Sequence, residues 1–244
     1  MKKICFLTAL LCMTAPVWAQ VPQQYMHWYT YFGNFRIHEK WAIHFDGQAR
    51  IDEGLGQARQ ILLRPGLQYV FNPKMNLTLG YAYISSYVPA LDAFAPEHRI
   101  WEQFIYRHRN DRYDMTHRFR LEQRFVAAKR RNGDGVVETA DWQYGNRIRY
   151  FNRTLFPLKA KLTSELPFYL AAQNEVFINF ANQQINPNAF DQNRLLLAIG
   201  VVHKNRTRYE IGYMNQFLNA FNANRRMNHI LHFSVLQNLD FRRE

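Results

Sequence analysis

Cysteine is scarce in this chain of 244 residues: there are two, Cys5 and Cys12, both inside one N-terminal apolar run. From Gln20 onward there is none, which excludes disulfides, thiolate nucleophiles and cysteine metal sites from that part. Long apolar runs are missing too. A membrane-spanning helix needs about 20 residues, whereas the longest later stretch, Leu195 to Val202, is strand-sized. Insertion into a bilayer would therefore require a closed β-barrel. There is no Pro/Ser/Gly-rich linker, no low-complexity block and no repeat of solenoid period, so Gln20 to Glu244 reads as one domain. No phosphate loop, dinucleotide fingerprint or G-x-S-x-G elbow occurs, and no cofactor is expected.

The N-terminus has the three parts of a cleavable secretory leader. Lys2 and Lys3 give the positive start, Ile4 to Met13 the apolar run, and Val17-Trp18-Ala19 the small-residue stop, with cleavage before Gln20. Leu11 before Cys12, where a small residue is needed, argues against a lipid-modified cysteine. The formal net charge is +12, or +10 once Lys2 and Lys3 are removed. Outside the cytoplasm such charge faces lipopolysaccharide, acidic glycans or anionic solutes, not nucleic acid.

What the chain has in plenty is alternation. Trp41, Ile43, Phe45, Gly47, Ala49 and Ile51 share one parity, against Ala42, His44, Asp46, Gln48, Arg50 and Asp52. That is period two, the mark of a strand with one apolar and one polar face. Gln60 to Phe71 repeats it, Asn72-Pro73-Lys74 makes a turn, and Leu77, Leu79, Tyr81 and Tyr83 give the next apolar face. Later segments follow suit, ending with Leu231, Phe233, Val235, Leu239 and Phe241. These segments predict an all-β fold, an antiparallel up-and-down barrel of about 10–12 strands.

Connections alternate between short turns and longer loops near Ala90 to Glu97, Ala127 to Asp141 and Ala181 to Asn193. If the short turns face the periplasm, the first strand runs towards the periplasm, which demands a missed strand or unusual rims. Abundant aromatics on the apolar parity and arginines on the polar one favour a transmembrane barrel over a soluble one. The expected location is the bacterial outer membrane. Expected partners are membrane lipid, lipopolysaccharide and the barrel-insertion machinery, with the barrel a monomer. The two rival readings are an outer-membrane lipid hydrolase and a soluble periplasmic barrel that binds an acidic ligand.

The segments Gln60-Ile-Leu-Leu-Arg64, Glu97-His-Arg-Ile-Trp101-Glu-Gln103, His117-Arg-Phe-Arg-Leu-Glu-Gln-Arg124, Arg147-Ile-Arg-Tyr150 and Asn174-Glu-Val-Phe177 follow one another in a recognisable order. With Asp191-Gln-Asn-Arg194 and Gly212-Tyr213-Met214, the chain resembles the domain-of-unknown-function family 2490 over nearly all of its mature length. The resemblance implies a barrel-like envelope protein and brings no activity with it.

The candidate site is the inward parity. Arg64, Arg99, Arg118, Arg120, Arg124, Arg147, Arg149 and Arg194 would point into the lumen, with Glu97, Glu122, Glu175 and Glu210 as partners and Gln103 and Gln216 as amide donors and acceptors. Arginine's planar fork suits bidentate pairing across strands. The set reads either as a salt-bridged filling or as a path or pocket for anions.

For the hydrolase, Ser85, Ser86, Ser234, His98, His117, His229 and His232 are available. A catalytic pair needs Ser within reach of His and a third group orienting it, and nothing in the sequence selects one. The Arg130 to Asp141 stretch has acidic and amide residues at some calcium-loop offsets but starts with Arg130, so Asn132-Gly133 reads as a turn. Protein recovered from the cell envelope should begin at Gln20 by N-terminal sequencing; an intact Met1 would contradict the leader.

Overall fold

Alternating β-branched and aromatic residues satisfy their backbone only by pairing with neighbouring strands. A sheet that closes on itself leaves no edge. The computed structural model of this chain, described for residues 21–161, 166–204, 206–221 and 225–242, is such a closed sheet. The leader lies outside these residues. The eleven strands are β1 (Gln23–Arg36), β2 (Trp41–Asp52), β3 (Ala58–Asn72), β4 (Met75–Val88), β5 (Ala93–Arg109), β6 (Asp114–Arg131), β7 (Val137–Lys161), β8 (Pro167–Gln183), β9 (Phe190–His203), β10 (Thr207–Asn219) and β11 (Arg225–Asp240).

Each strand is antiparallel to its sequence neighbour. The exception is the closure: β1 pairs with β11 in parallel, from Gln23 opposite Met227 to Arg36 opposite Asp240. An odd strand number forces this, because the first and last strands then run the same way. It also explains the direction of the first strand. β1 does run towards the short-turn rim, so the first strand starts at one rim and the last ends at the other. Side chains stitch this seam on both faces. Tyr29 stacks on Phe233 with centroids 5.3 Å apart outside, and Thr30 is hydrogen-bonded to His232 at 3.0 Å inside.

The two rims keep the expected alternation but at smaller scale. One carries connections 37–40, 73–74, 110–113 and 204–206; the other carries 53–57, 89–92, 132–136 and 184–189. Most residues expected in long loops extend the strands instead, since β5 starts at Ala93, β6 runs to Arg131 and β7 resumes at Val137. Asparagine shapes several turns. The Asn72 carboxamide oxygen accepts from the backbone N–H of Lys74 and Met75, and that of Asn110 from Arg112 and Tyr113. That of Asn132 accepts from Asp134 and Val136, with Gly135 at φ 81° completing the turn.

The outward face is rich in exposed apolar residues, and the inward face holds many buried polar ones. Outward side chains such as Leu79, Ile100, Leu197 and Tyr213 are exposed, while Asp46, Arg120 and Glu122 are almost fully buried inside. One inward row shows how the bulk is accommodated. Gly66, Gly80 and Trp101 are paired neighbours on β3, β4 and β5. A Cβ on Gly80 would stand 2.3 Å from the Trp101 ring, and one on Gly66 2.8 Å from it. The two glycines clear a berth in which the indole lies against the wall. The lumen also has two unlike sides. Towards β8–β11 and β1 it is lined by Met26, Trp28, Leu196, Met214 and Ile230, and towards β5–β8 mainly by charge, with a second apolar cluster of Leu62, Ala82, Ile84 and Trp101 on β3–β5.

Candidate functional site

Register decides which inward charges meet. Glu122 on β6 faces Arg147 on β7, Glu175 on β8 faces Arg194 on β9, and Asp46 on β2 faces Arg64 on β3. Like charges are also opposed, Arg99 to Arg124 and Arg120 to Arg149. Such pairs repel unless a carboxylate bridges them, and here carboxylates do. Glu97 accepts from Arg99 Nε and Arg124 Nε, each at 2.6 Å.

Glu122 is the hub. One of its oxygens accepts from Arg149 Nη1 at 2.6 Å, the other from Arg147 Nη2 at 2.6 Å, and Arg99 Nη1 lies 3.5 Å away. Arg149 turns its other edge to Glu175 at 2.7 Å, which also takes Arg118 at 2.6 Å. Arg120 gives both Nε and Nη2 to the Gln103 carbonyl oxygen. Arg64 pairs with Asp46 at 3.0 Å. Glu210 accepts from Arg153, from Tyr169 at 2.5 Å and from Ser234 at 3.1 Å. Gln216 donates to Gln192 at 2.6 Å and accepts from Asn228 at 2.9 Å.

Aromatic rings support the guanidiniums from below. Phe177, fully buried, lies under Arg149 at 4.4 Å, Arg194 at 4.6 Å and Arg147 at 5.0 Å. Trp101 lies under Arg120 at 4.7 Å, and Trp28 under Arg50 at 3.9 Å and Arg194 at 5.1 Å. A desolvated cation over a ring gains up to about 2 kcal/mol, which offsets part of its desolvation cost.

The arginines, glutamates and glutamines expected on the inward parity are on the lumen side; most join the cluster around Glu97, Glu122 and Glu175, while Arg64 pairs with Asp46 and Glu210 with Arg153 apart from it. Sequence reading left out Asp46, Arg50, Arg153 and Asp191, although Asp46 and Arg50 stood on the polar parity of β2. Asp191 reaches Arg147 Nη1 at 2.7 Å.

The residues considered for hydrolysis do not assemble. His232 bonds Thr30 and Ser234 bonds Glu210. His232 Nδ1 has no hydrogen-bond partner among the described residues, so no group orients the imidazole as a triad requires. His117 contacts the Tyr150 hydroxyl at 2.9 Å, and His98 and His229 contact those of Tyr81 and Tyr213.

The network divides the lumen. A cavity of about 310 Å³ opens towards the short-turn rim and one of about 430 Å³ towards the other rim. Arg64, Arg149 and Arg194 line both and form the septum between them.

Residues 26–228 match the model of a family described as "Protein of unknown function (DUF2490)". Comparison with curated proteins and with solved structures returned no match.

Removing one member of a buried ion pair costs about 3–5 kcal/mol, because the other charge stays buried without a partner. Glu122→Gln should therefore lower the unfolding free energy of the purified barrel by about that amount in a urea titration. Glu138→Gln breaks only the exposed pair with Arg130 and should shift it by less than about 1 kcal/mol.

Proposed function

This chain belongs to the DUF2490 family of proteins of unknown function, and we propose that it works as a monomeric β-barrel of the bacterial outer membrane with a salt-bridged, nearly closed, anion-preferring lumen. The observation that carries this reading is the inversion of faces. Water-soluble monomers rarely expose contiguous apolar surface beyond a few hundred Å², whereas here Leu63, Leu79, Ile100, Ile148, Leu197 and Ile211 stand outward around the whole sheet.

The outward residues are also graded along the strands, as in a barrel with interfacial aromatic girdles. On β5, Phe94 lies near one end, Tyr106 near the other and Ile100 between them. An outward carboxylate near the middle of β5, Glu102, accepts from the Gln123 amide at 3.2 Å, so it does not face the apolar zone bare.

On this reading the leader is removed at export, insertion machinery places the barrel, and lipid and lipopolysaccharide cover its outside. The basic side chains suit the anionic headgroups. Inside, the cations outnumber the carboxylates, and low-dielectric walls focus the resulting positive potential. The septum leaves little room for flow, so the protein serves envelope structure with, at most, a narrow path for anions.

Leu197, 58% exposed on β9, separates the membrane reading from the soluble one. In a bilayer, Leu197→Arg should cost about 2–4 kcal/mol; on a water-exposed face it should be close to neutral. The native protein should sediment with outer membranes and require detergent for release. Recovery in the soluble periplasmic fraction, together with a neutral Leu197→Arg, would contradict the proposal.

A further inference from the structure

The two cavities of the lumen differ in charge. The short-turn side is lined by seven arginines with four carboxylates, Asp46, Asp114, Glu175 and Glu210. The opposite side is lined by nine arginines and one carboxylate, Glu97. Several of those nine are engaged: Arg64 by Asp46, Arg99 and Arg124 by Glu97, and Arg147 and Arg149 by Glu122.

Arg50 and Arg194 are different. Arg50 directs two donors to amide oxygens, those of Gln60 at 2.5 Å and Gln48 at 2.7 Å, and its Nε has no partner among the described residues. Among the described residues the Arg194 guanidinium has one hydrogen bond, to Gln192 at 3.2 Å, and the nearest carboxylate oxygen, on Glu175, is 3.9 Å away. Each guanidinium has five donor hydrogens, so both keep capacity in reserve. Both also sit over the Trp28 ring, which brings two under-compensated cations to one place on the cavity floor. Buried charge without a counter-charge is costly, and an incoming dianion removes that cost.

We infer that this larger vestibule is a binding site for a small polyhydroxylated phosphate monoester, with the phosphate held by Arg50 and Arg194. Two under-compensated cations suit the dianion, and arginine forks match phosphate oxygens bidentately. The hydroxyls have partners around it, since Gln60 on β3 and Gln192, Gln216 and Asn228 on β9–β11 bring amide donors and acceptors into the same cavity. A volume of about 430 Å³ falls within the range of small-molecule sites. The inference rests on the anion-preferring reading of the lumen and names what that preference serves.

The test is equilibrium titration of the detergent-refolded mature barrel with glucose 6-phosphate, inorganic phosphate and glucose, read by tryptophan fluorescence and calorimetry. Expected are saturable binding of glucose 6-phosphate, weaker binding of inorganic phosphate and none of glucose. Trp28→Phe should reduce the fluorescence response, because this ring lies against both guanidiniums. Arg50→Gln and Arg194→Gln should each weaken binding about tenfold, equivalent to about 1.4 kcal/mol. Arg112→Gln removes the same charge in an exposed turn at the other rim and should change nothing.

If Arg50→Gln does not fold, Arg226→Gln, exposed at the vestibule mouth, should still weaken binding, and wild-type saturation remains decisive. The site is overturned if neither phosphate probe saturates the wild type, or if Arg112→Gln weakens binding as much as Arg50→Gln. Ion currents in bilayers are independent of this result. Saturable binding without current keeps the site and removes the path, and current without saturable binding does the reverse.

Discussion

A carboxylate shared between guanidiniums is the interaction on which the interior depends. Glu122 lies between Arg147 and Arg149, and Arg149 passes the connection to Glu175. The closed sheet forces every second side chain inward, so arginines opposed across a strand pair have nowhere else to go. A lone buried guanidinium would cost several kcal/mol. One carboxylate serving two or three of them, with Phe177 and Trp101 beneath, makes the crowding tolerable. Charge compensation is densest around Glu122 and Glu175 and thinnest at Arg50 and Arg194.

The packing follows from the same constraint. Long arginines fill a lumen only if the opposite wall yields space. The wall from β8 to β1 does so with Ala171, Ala198 and Met214, and Gly200 clears room for the Tyr169 ring. Gly66 and Gly80 do the same for Trp101, which then supports Arg120. Charged and apolar halves thus interlock across the septum, and the cavities are what remains above and below it.

Much of this was legible in the sequence. Strict alternation in β2 and β3 gives both the strand type and the face of Arg64, because a slip of one residue would turn every side chain over. The strong inward parity of Arg118, Arg120, Glu122 and Arg124 survives in β6 unchanged. Other features were not legible, for physical reasons. Trp28, Trp101 and Phe177 are apolar yet face inward, and local hydropathy cannot separate a lipid-like exterior from a ring placed beneath a cation.

The parallel seam between β1 and β11 joins residues about two hundred positions apart, which no local period encodes. Asp191 meets Arg147 from just beyond the strand register, where β8 and β9 shift at Phe177/Ile178. Most residues expected in the long loops belong to strands, since polar residues such as Arg130 and Glu138 continue the ladder beyond the apolar belt, where hydropathy no longer marks it.

The central claim is that Arg64, Arg149 and Arg194 close a lumen whose residual potential favours anions. Single-protein conductance of the purified wild-type barrel in planar lipid bilayers tests it most directly. Expected are very small currents whose reversal potential in a salt gradient reports anion preference. Large, cation-selective currents would contradict it.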